Sequence, residues 1–213
     1  MPRKNLRPFG PFEHGLIQIK LGQLLECSLI DRIVLSTNDE EILSFAEGFN
    51  SQRLIIHHRD DYLSTSETST DELVDHACEL VGHGHVLWTH VTSPFVSAKV
   101  YSRIVEAYRR ALRNGYDSLM TVTRLQGFIW NETGPVNYDR TVEKWPRTQT
   151  LTPLHEINSA AFLAPIDIYD LQRDRIGTAP FLHDLDRLTA WDIDWEEDFI
   201  LAEQLLLNRL AST

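Results

Sequence analysis

Two aspartates one residue apart, Asp192 and Asp194 in the stretch WDIDWEED, carry the sharpest chemical signal in the chain. In an extended segment residues i and i+2 point the same way. Both carboxylates can then face one hard cation such as Mg²⁺, which takes oxygen ligands and often bridges to substrate phosphates. Asp194 has a competing structural use, because with Glu197 it fits an N-cap box for a helix starting at Glu196; Asp192 has none. At the other end of the chain, Lys4 in PRKN offers a point charge suited to a phosphate, and Asn5 an amide donor and acceptor. A solvated basic tail explains the same residues. Arg147 and Gln149, with Asn158 nine residues on, combine a guanidinium with two amides. That set suits a carboxylated, polyhydroxylated ligand, since Arg grips carboxylates in a two-pronged fork. In THVTSPF, Thr92, Ser93 and Pro94 form a turn at the carboxyl end of a central strand, where open α/β sheets bind ligands; turn-making alone accounts for them equally well. His83, His85 and His90 lie close by in no metal-ligand spacing and read as ordinary surface or half-buried histidines, as do His57 and His58. Gly-x-Ser-x-Gly, Walker A and Gly-x-Gly-x-x-Gly are all missing, so serine hydrolase, P-loop NTPase and standard dinucleotide readings lack support.

The frame that must position these groups is readable from periodicity. Short apolar runs at 32–37 (RIVLST), 53–57, 85–91, 117–123 and 160–164 read as strands buried on both faces, and they alternate with amphipathic helical stretches. This is an α/β pattern. Ser97 can cap a helix that buries Val100, Ile104, Tyr108, Ala111 and Leu112 and stops at Gly115. Ser69 with Glu72 makes a capping box, Asn38 can cap DEEILSFAEGF, and Gly82 and Gly48 end these two helices. The Leu-rich stretch 196–210 is expected to dock on the sheet. Residues 124–154, broken by Gly127, Gly134, Pro135, Pro146 and Pro153, read as an arm. Its Phe128, Trp130, Tyr138 and Trp145 suggest that it covers a site, meets a second subunit or folds back on its own domain.

Composition narrows the function classes. The 213 residues suffice for a single domain with its own core, and a formal charge of −11 disfavours nucleic acid and anionic membrane as partners. Two cysteines point to no disulfide scaffold and to a reducing, cytoplasmic setting. No run is apolar and long enough for a signal h-region or a bilayer span.

In chain order, PRKNL, DRIVLSTNDEEI, Arg59 ahead of LSTSETST, HVTSP, Arg147-x-Gln149 with Asn158, and DIDWEEDF resemble the acylneuraminate cytidylyltransferase family. These are the CMP-N-acetylneuraminate (CMP-sialic acid) synthetases and their relatives for other nonulosonic acids. The GDEP signature of the related Kdo enzymes is missing. The resemblance implies a Rossmann-like nucleotide-diphospho-sugar transferase fold with a mostly parallel sheet, helices on both faces and a dimerisation arm. It implies Mg²⁺ as cofactor, CTP and an acidic sugar as substrates, and a homodimer. Residue by residue, it puts Lys4 and Asn5 on the nucleotide, Arg59 and Thr70 near its cytidine end, and Asp192 and Asp194 on the metal. Lys4, Asp192 and Asp194 would form the catalytic set. Arg147, Gln149, Asn158 and Phe162 fall on the acyl-sugar side, Phe162 where the family usually has Tyr, and His90 takes a sugar-contacting position that is usually Gln. The implied reaction is attack of the sugar's anomeric hydroxyl on the α-phosphate of CTP with release of pyrophosphate. Alternatives are a catalytically impaired nucleotide-binding scaffold, or cytidylyl transfer to another small acidic acceptor such as a phosphonate.

Three departures from the family pattern set further expectations. Family members have a strand and a Gly-rich loop (as in ARGGSKGIPRKN) ahead of the point where Met1 stands, and backbone N–H groups of such a loop cradle phosphates. That strand is central in a doubly wound sheet. RIVLST and HVLWTHV should therefore flank a gap, unless the start lies upstream, residues 6–18 fill the slot, or the chain is a degenerate homologue. Val96 stands where the family commonly has Arg, and Ser159 where it has Gly.

Overall fold

The computed structural model describes residues 3–65 and 67–211. Met1, Pro2, Ser66, Ser212 and Thr213 lie outside it, and with them the proline of PRKN and the serine at the centre of LSTSETST. The elements are α1 (Gly15–Glu26), β1 (Ile33–Thr37), α2 (Glu40–Glu47), β2 (Leu54–His58), α3 (Thr70–Val81), β3 (His85–Trp88), α4 (Ala98–Arg113) and β4 (Ser118–Leu125). An arm with the short pair β5 (Trp130–Asn131) and β6 (Gly134–Pro135) follows, then β7 (Leu154–Pro165), α5 (Ile166–Gln172), β8 (Pro180–Asp184) and α6 (Glu196–Ala211). Alternation of strand and helix is as the periodicity predicts.

Strands β1 and β2 pair in parallel, and a second sheet has the order β3-β7-β4-β8. In it β7 runs antiparallel to both neighbours while β8 is parallel to β4. The sheet is thus mixed, because β4 returns to β7 through the arm, and such a reversal needs no crossover helix. Strand β7 starts six residues before the apolar run that marks it, since its first half is exposed and lacks a buried-strand pattern. Among the described residues no strand lies between β1, which pairs only with β2, and β3, which pairs only with β7. This is the break expected from the family pattern. Residues 6–18 do not fill it as a strand: they form a tight Phe9–Phe12 bridge and enter α1.

Local signals explain most helix ends. Ser97 accepts from the Val100 N–H and starts α4, and the Ser69–Glu72 capping box starts α3. Helix α2 is capped by Asp39, whose carboxylate accepts from the Glu41 and Ile42 N–H groups, while Asn38 turns away to Asp61. Helix α4 fills the main core with Val100, Tyr101, Ile104, Val105 and Tyr108, each burial worth roughly 1.5–3 kcal/mol for an aliphatic side chain. Helix α6 does not dock on the sheet. Its Phe199 and Ala202 join Phe9, Leu16, Phe95 and Ile193 in a second cluster that contains no strand residue, because the N-terminal turn and α1 present the apolar surface it meets. Gly15 makes that turn possible: its φ is +58°, and a Cβ there would stand 2.0 Å from the Arg7 carbonyl oxygen.

Candidate active site

Ile193 organises the two aspartates. It is fully buried in the second cluster, its N–H donates to the Thr92 carbonyl at 3.0 Å, and its own carbonyl accepts from Lys4 Nζ at 2.8 Å. With Ile193 pinned inward, its neighbours Asp192 and Asp194 are turned the other way. Asp192 Oδ1 is buried with no hydrogen-bond partner among the described residues, whereas Asp194 is exposed, 3.9 Å from Lys4 Nζ. The capping role open to Asp194 is not used. The carboxylate of Asp198 accepts from the N–H groups of both Asp194 and Trp195, and Lys4 is the polar contact left to the Asp194 side chain among the described residues. An unsatisfied buried oxygen costs about 1–3 kcal/mol, so Asp192 is suited to a ligand that would satisfy it. No group of three or more His, Cys, Asp or Glu side chains among the described residues could hold a metal. Two carboxylates alone fit Mg²⁺, whose other positions commonly go to phosphate oxygens and water.

Lys4 and Asn5 also line a cavity of about 230 Å³ with Arg3, Leu6, Asp39 and Ile42 at the start of α2. Asn5 Oδ1 is buried and has no partner among the described residues. Arg59, at the end of β2, donates from Nε to Ser64 Oγ at 3.0 Å, and burial lowers its pKa. Thr70 is exposed at the first position of α3. Nearby, Ser36 Oγ lies 3.3 Å from His57 Nδ1 and 3.1 Å from His76 Nε2. Burial and the neighbouring His57 lower the His76 pKa.

On the other side of the strand ends, His90 is half-buried, and burial followed by the charge of Arg175 lowers its pKa. Phe162 is buried beneath the Arg175 guanidinium, 4.0 Å from its ring centre. Asn158 is buried and engaged, donating to Thr123 Oγ1 at 3.1 Å and accepting from the Ala160 N–H at 3.3 Å. Arg147 and Gln149 are exposed on the arm, in and beside the turn Thr148–Thr150, and within this chain no hydrogen bond or ion pair joins them to Asn158 or Phe162. The expected convergence of Arg147, Gln149 and Asn158 is therefore not assembled within one chain. Val96 is fully buried in the main core and belongs to packing. Ser159 sits in β7 without a positive φ, so the backbone there does not require glycine.

Sequence reasoning missed two cations. Lys20 on α1 is only 2% exposed; its Nζ donates to the Ser93 carbonyl at 2.8 Å and contacts Tyr101 Oη at 2.5 Å, tying α1 to the turn after β3. Burial lowers its pKa to about 7, against the opposing pull of Asp192. Lysine at a core-facing helical position was the available signal. Arg175 lies in the loop before β8 and carries no motif. No described helix is long and apolar enough to cross a membrane.

Comparison with known proteins gives the family and the fold. Residues 1–211 match the family model described as cytidylyltransferase. Two curated pseudaminic acid cytidylyltransferases from Campylobacter jejuni strains are each 26% identical over 215 residues, covering 96% of this chain and 90% of theirs. Among solved structures, a CMP:2-keto-3-deoxy-manno-octonic acid synthetase complexed with CTP superposes with a TM-score of 0.68 at 12% identity, covering 98% of this chain and 93% of that one. A 4-diphosphocytidyl-2C-methyl-D-erythritol synthase gives 0.66 at 11% identity, over 95% and 94% of the two chains. These structural likenesses bear on the fold, which is Rossmann-like.

Proposed function

The chain belongs to the cytidylyltransferase family, and we propose that it transfers the cytidylyl group of CTP to a nonulosonic, sialic-acid-like sugar. The anomeric hydroxyl oxygen of the acceptor attacks the α-phosphorus, the bond from that phosphorus to the bridging oxygen breaks, and pyrophosphate leaves. The hydroxyl proton passes to a base. Reactions of this type gain mainly from positioning and charge neutralisation.

The observation that carries the reading is the buried, unpartnered Asp192 Oδ1 beside Asp194, on a segment that Lys4 grips through the Ile193 carbonyl. Asp192 and Asp194 would hold Mg²⁺, which when bound supplies positive charge to the phosphates. Lys4 adds a second positive charge on the same side. Asn5 would meet the nucleotide, with Arg59 and Thr70 toward its cytidine end; the unpartnered Asn5 Oδ1 and the cavity beside it support this. His90 and Phe162 would face the sugar with Asn158 behind them. Arg147 and Gln149 would serve a sugar site only through the second subunit of a homodimer built on the arm, where Trp130, Trp145 and Val142 are exposed. The enzyme would act in the cytoplasm as a single-domain protomer, in keeping with its two free cysteines.

Pyrophosphate release, measured with CTP, Mg²⁺ and a panel that includes pseudaminic and N-acetylneuraminic acids, tests the proposal. Release with at least one acceptor is expected. No release with any of them counts against it, and calorimetric binding of CTP without turnover would identify a nucleotide-binding scaffold instead.

A further inference from the structure

In the loop from Arg173 to Ala179, Arg173 pairs with Asp75, whereas the Arg175 guanidinium has no carboxylate partner among the described residues. Asp117 and Ser118, at the entry to β4, clamp this loop. Asp117 Oδ2 accepts from Thr178 Oγ1 and from the Ala179 N–H at 3.0 Å each, and Ser118 Oγ accepts from the Gly177 N–H at 2.9 Å. A side chain at 177 would push the Asp117 carboxylate out of this clamp, because a Cβ there would stand 2.3 Å from it. So held, Arg175 lies over two aromatic rings, 4.0 Å from the centre of Phe162 and 5.6 Å from that of Trp88. These rings are cross-strand partners of β7 and β3, so they form one platform. No carboxylate lies within ion-pair distance of Arg175 among the described residues.

The third member of the group is His90. Its Nε2 lies 3.2 Å from Trp88 Nε1 and 3.3 Å from Arg175 Nη1. Indole and guanidinium groups can only donate, so His90 Nε2 must accept, and the ring is neutral with its proton on Nδ1. The tautomer is thereby fixed by its neighbours. With His90 taking one of its N–H groups, Arg175 keeps the rest of its guanidinium as a cationic group that can only donate, lying over an apolar floor of Phe162 and Trp88. Such a surface complements an anionic oxygen group and rejects a neutral one.

We propose that Arg175 binds the carboxylate of the acceptor sugar and is the residue that makes this enzyme select an acid. The assignment rests on the cytidylyl-transfer reading above and names the part of that site that reads the acceptor.

The experiment compares wild type with Arg175→Met, which keeps an apolar stem on Phe162, and with Arg175→Lys, which keeps the charge but not the fork. Pseudaminic and N-acetylneuraminic acids and their methyl esters serve as probes. In pyrophosphate release, Arg175→Met should raise the acceptor KM at least tenfold and leave the CTP KM unchanged. It should also erase the preference for acid over ester; Arg175→Lys should retain part of that preference. Calorimetric titration of the sugars gives a readout independent of turnover, and urea midpoints show whether each variant is folded. Tighter binding of acid than ester by wild type, lost in Arg175→Met, supports the assignment even if no turnover occurs, in which case only the cytidylyl-transfer reading falls. The assignment is overturned if folded Arg175→Met keeps the acid preference, or if wild type binds neither acid.

Discussion

The strand-end site and the arm are unfinished in opposite ways. At the strand ends apolar side chains such as Ile193 and Phe162 are buried, while polar atoms are left without partners: Asp192 Oδ1, Asn5 Oδ1 and Ser93 Oγ. In the arm no buried side-chain polar atom among the described residues is left over. Asn137 donates to the carbonyls of Gly127 and Thr152 and accepts from the Ile129 N–H, and Gln126 donates to the carbonyls of Thr148 and Leu151. What the arm leaves open is apolar surface. Phe128 packs edge-on against Tyr138 and Trp145, and Arg140 lies over Trp130 and Trp145, yet Trp145 remains 68% exposed. Buried unpaired polar atoms call for a polar ligand, and an exposed aromatic patch on an ordered scaffold calls for a protein surface.

The largest effect should come from removing the orphaned carboxylate. Asp192→Ala is expected to lower cytidylyl transfer about a thousandfold, on the order of 4 kcal/mol of transition-state stabilisation. Its urea midpoint should stay unchanged or rise, because an unsatisfied buried oxygen is removed. A large loss of stability would show that Asp192 is a structural residue and erase the contrast with the arm.

Asn137→Ala tests the other region and should do the reverse. Three hydrogen bonds go and backbone groups lose their partners, so stability should fall by about 2–3 kcal/mol, read as a lower urea midpoint. A midpoint within error of wild type would mean that the arm is ordered by something else. Trp145→Ser removes exposed apolar surface, so the folded protomer should keep its stability while dimer dissociation, followed by sedimentation, strengthens about thirtyfold, near 2 kcal/mol. A monomer in the wild type, or no change in the variant, removes the arm from the dimer proposal.

Lys20 gives the smallest effect and a pH signature. Its folded pKa, about 7, is depressed by burial below the ordinary lysine value. Between those two values the unfolded chain binds the extra proton, so stability rises with pH across the window and is lowest at and below pH 7. Wild type should gain on Lys20→Met between pH 7 and 8 by on the order of 1 kcal/mol. A difference that is flat or falls with pH would mean that the ammonium stays charged inside.

Legibility followed the range of the interactions. The capping box at Ser69, the cap at Ser97 and the apolar face of α4 involve groups within a few residues of each other, so the sequence pattern shows them. Asp192 and Asp194 were legible for the same reason, as a period-2 pair around an apolar residue. The cap of α2 shifted by one residue because Asn38 and Asp39 are both good caps and only the tertiary contact of Asn38 with Asp61 separates them. Strand β8 went unread, being half-exposed at a sheet edge and recognisable only through its pairing with β4.

By itself the chain's order of residues determined the α/β alternation, the helix starts, the aspartate pair and the family resemblance, because each depends on neighbours in sequence or on motifs in a fixed order. Tertiary structure alone decided that β7 runs antiparallel, that among the described residues β1 and β3 share no strand between them, that Lys20 is enclosed, and that Arg175 meets His90 across 85 positions of chain. Charge, burial and hydrogen-bond geometry act through space, and a guanidinium over a distant ring leaves no periodic trace in the chain that carries it.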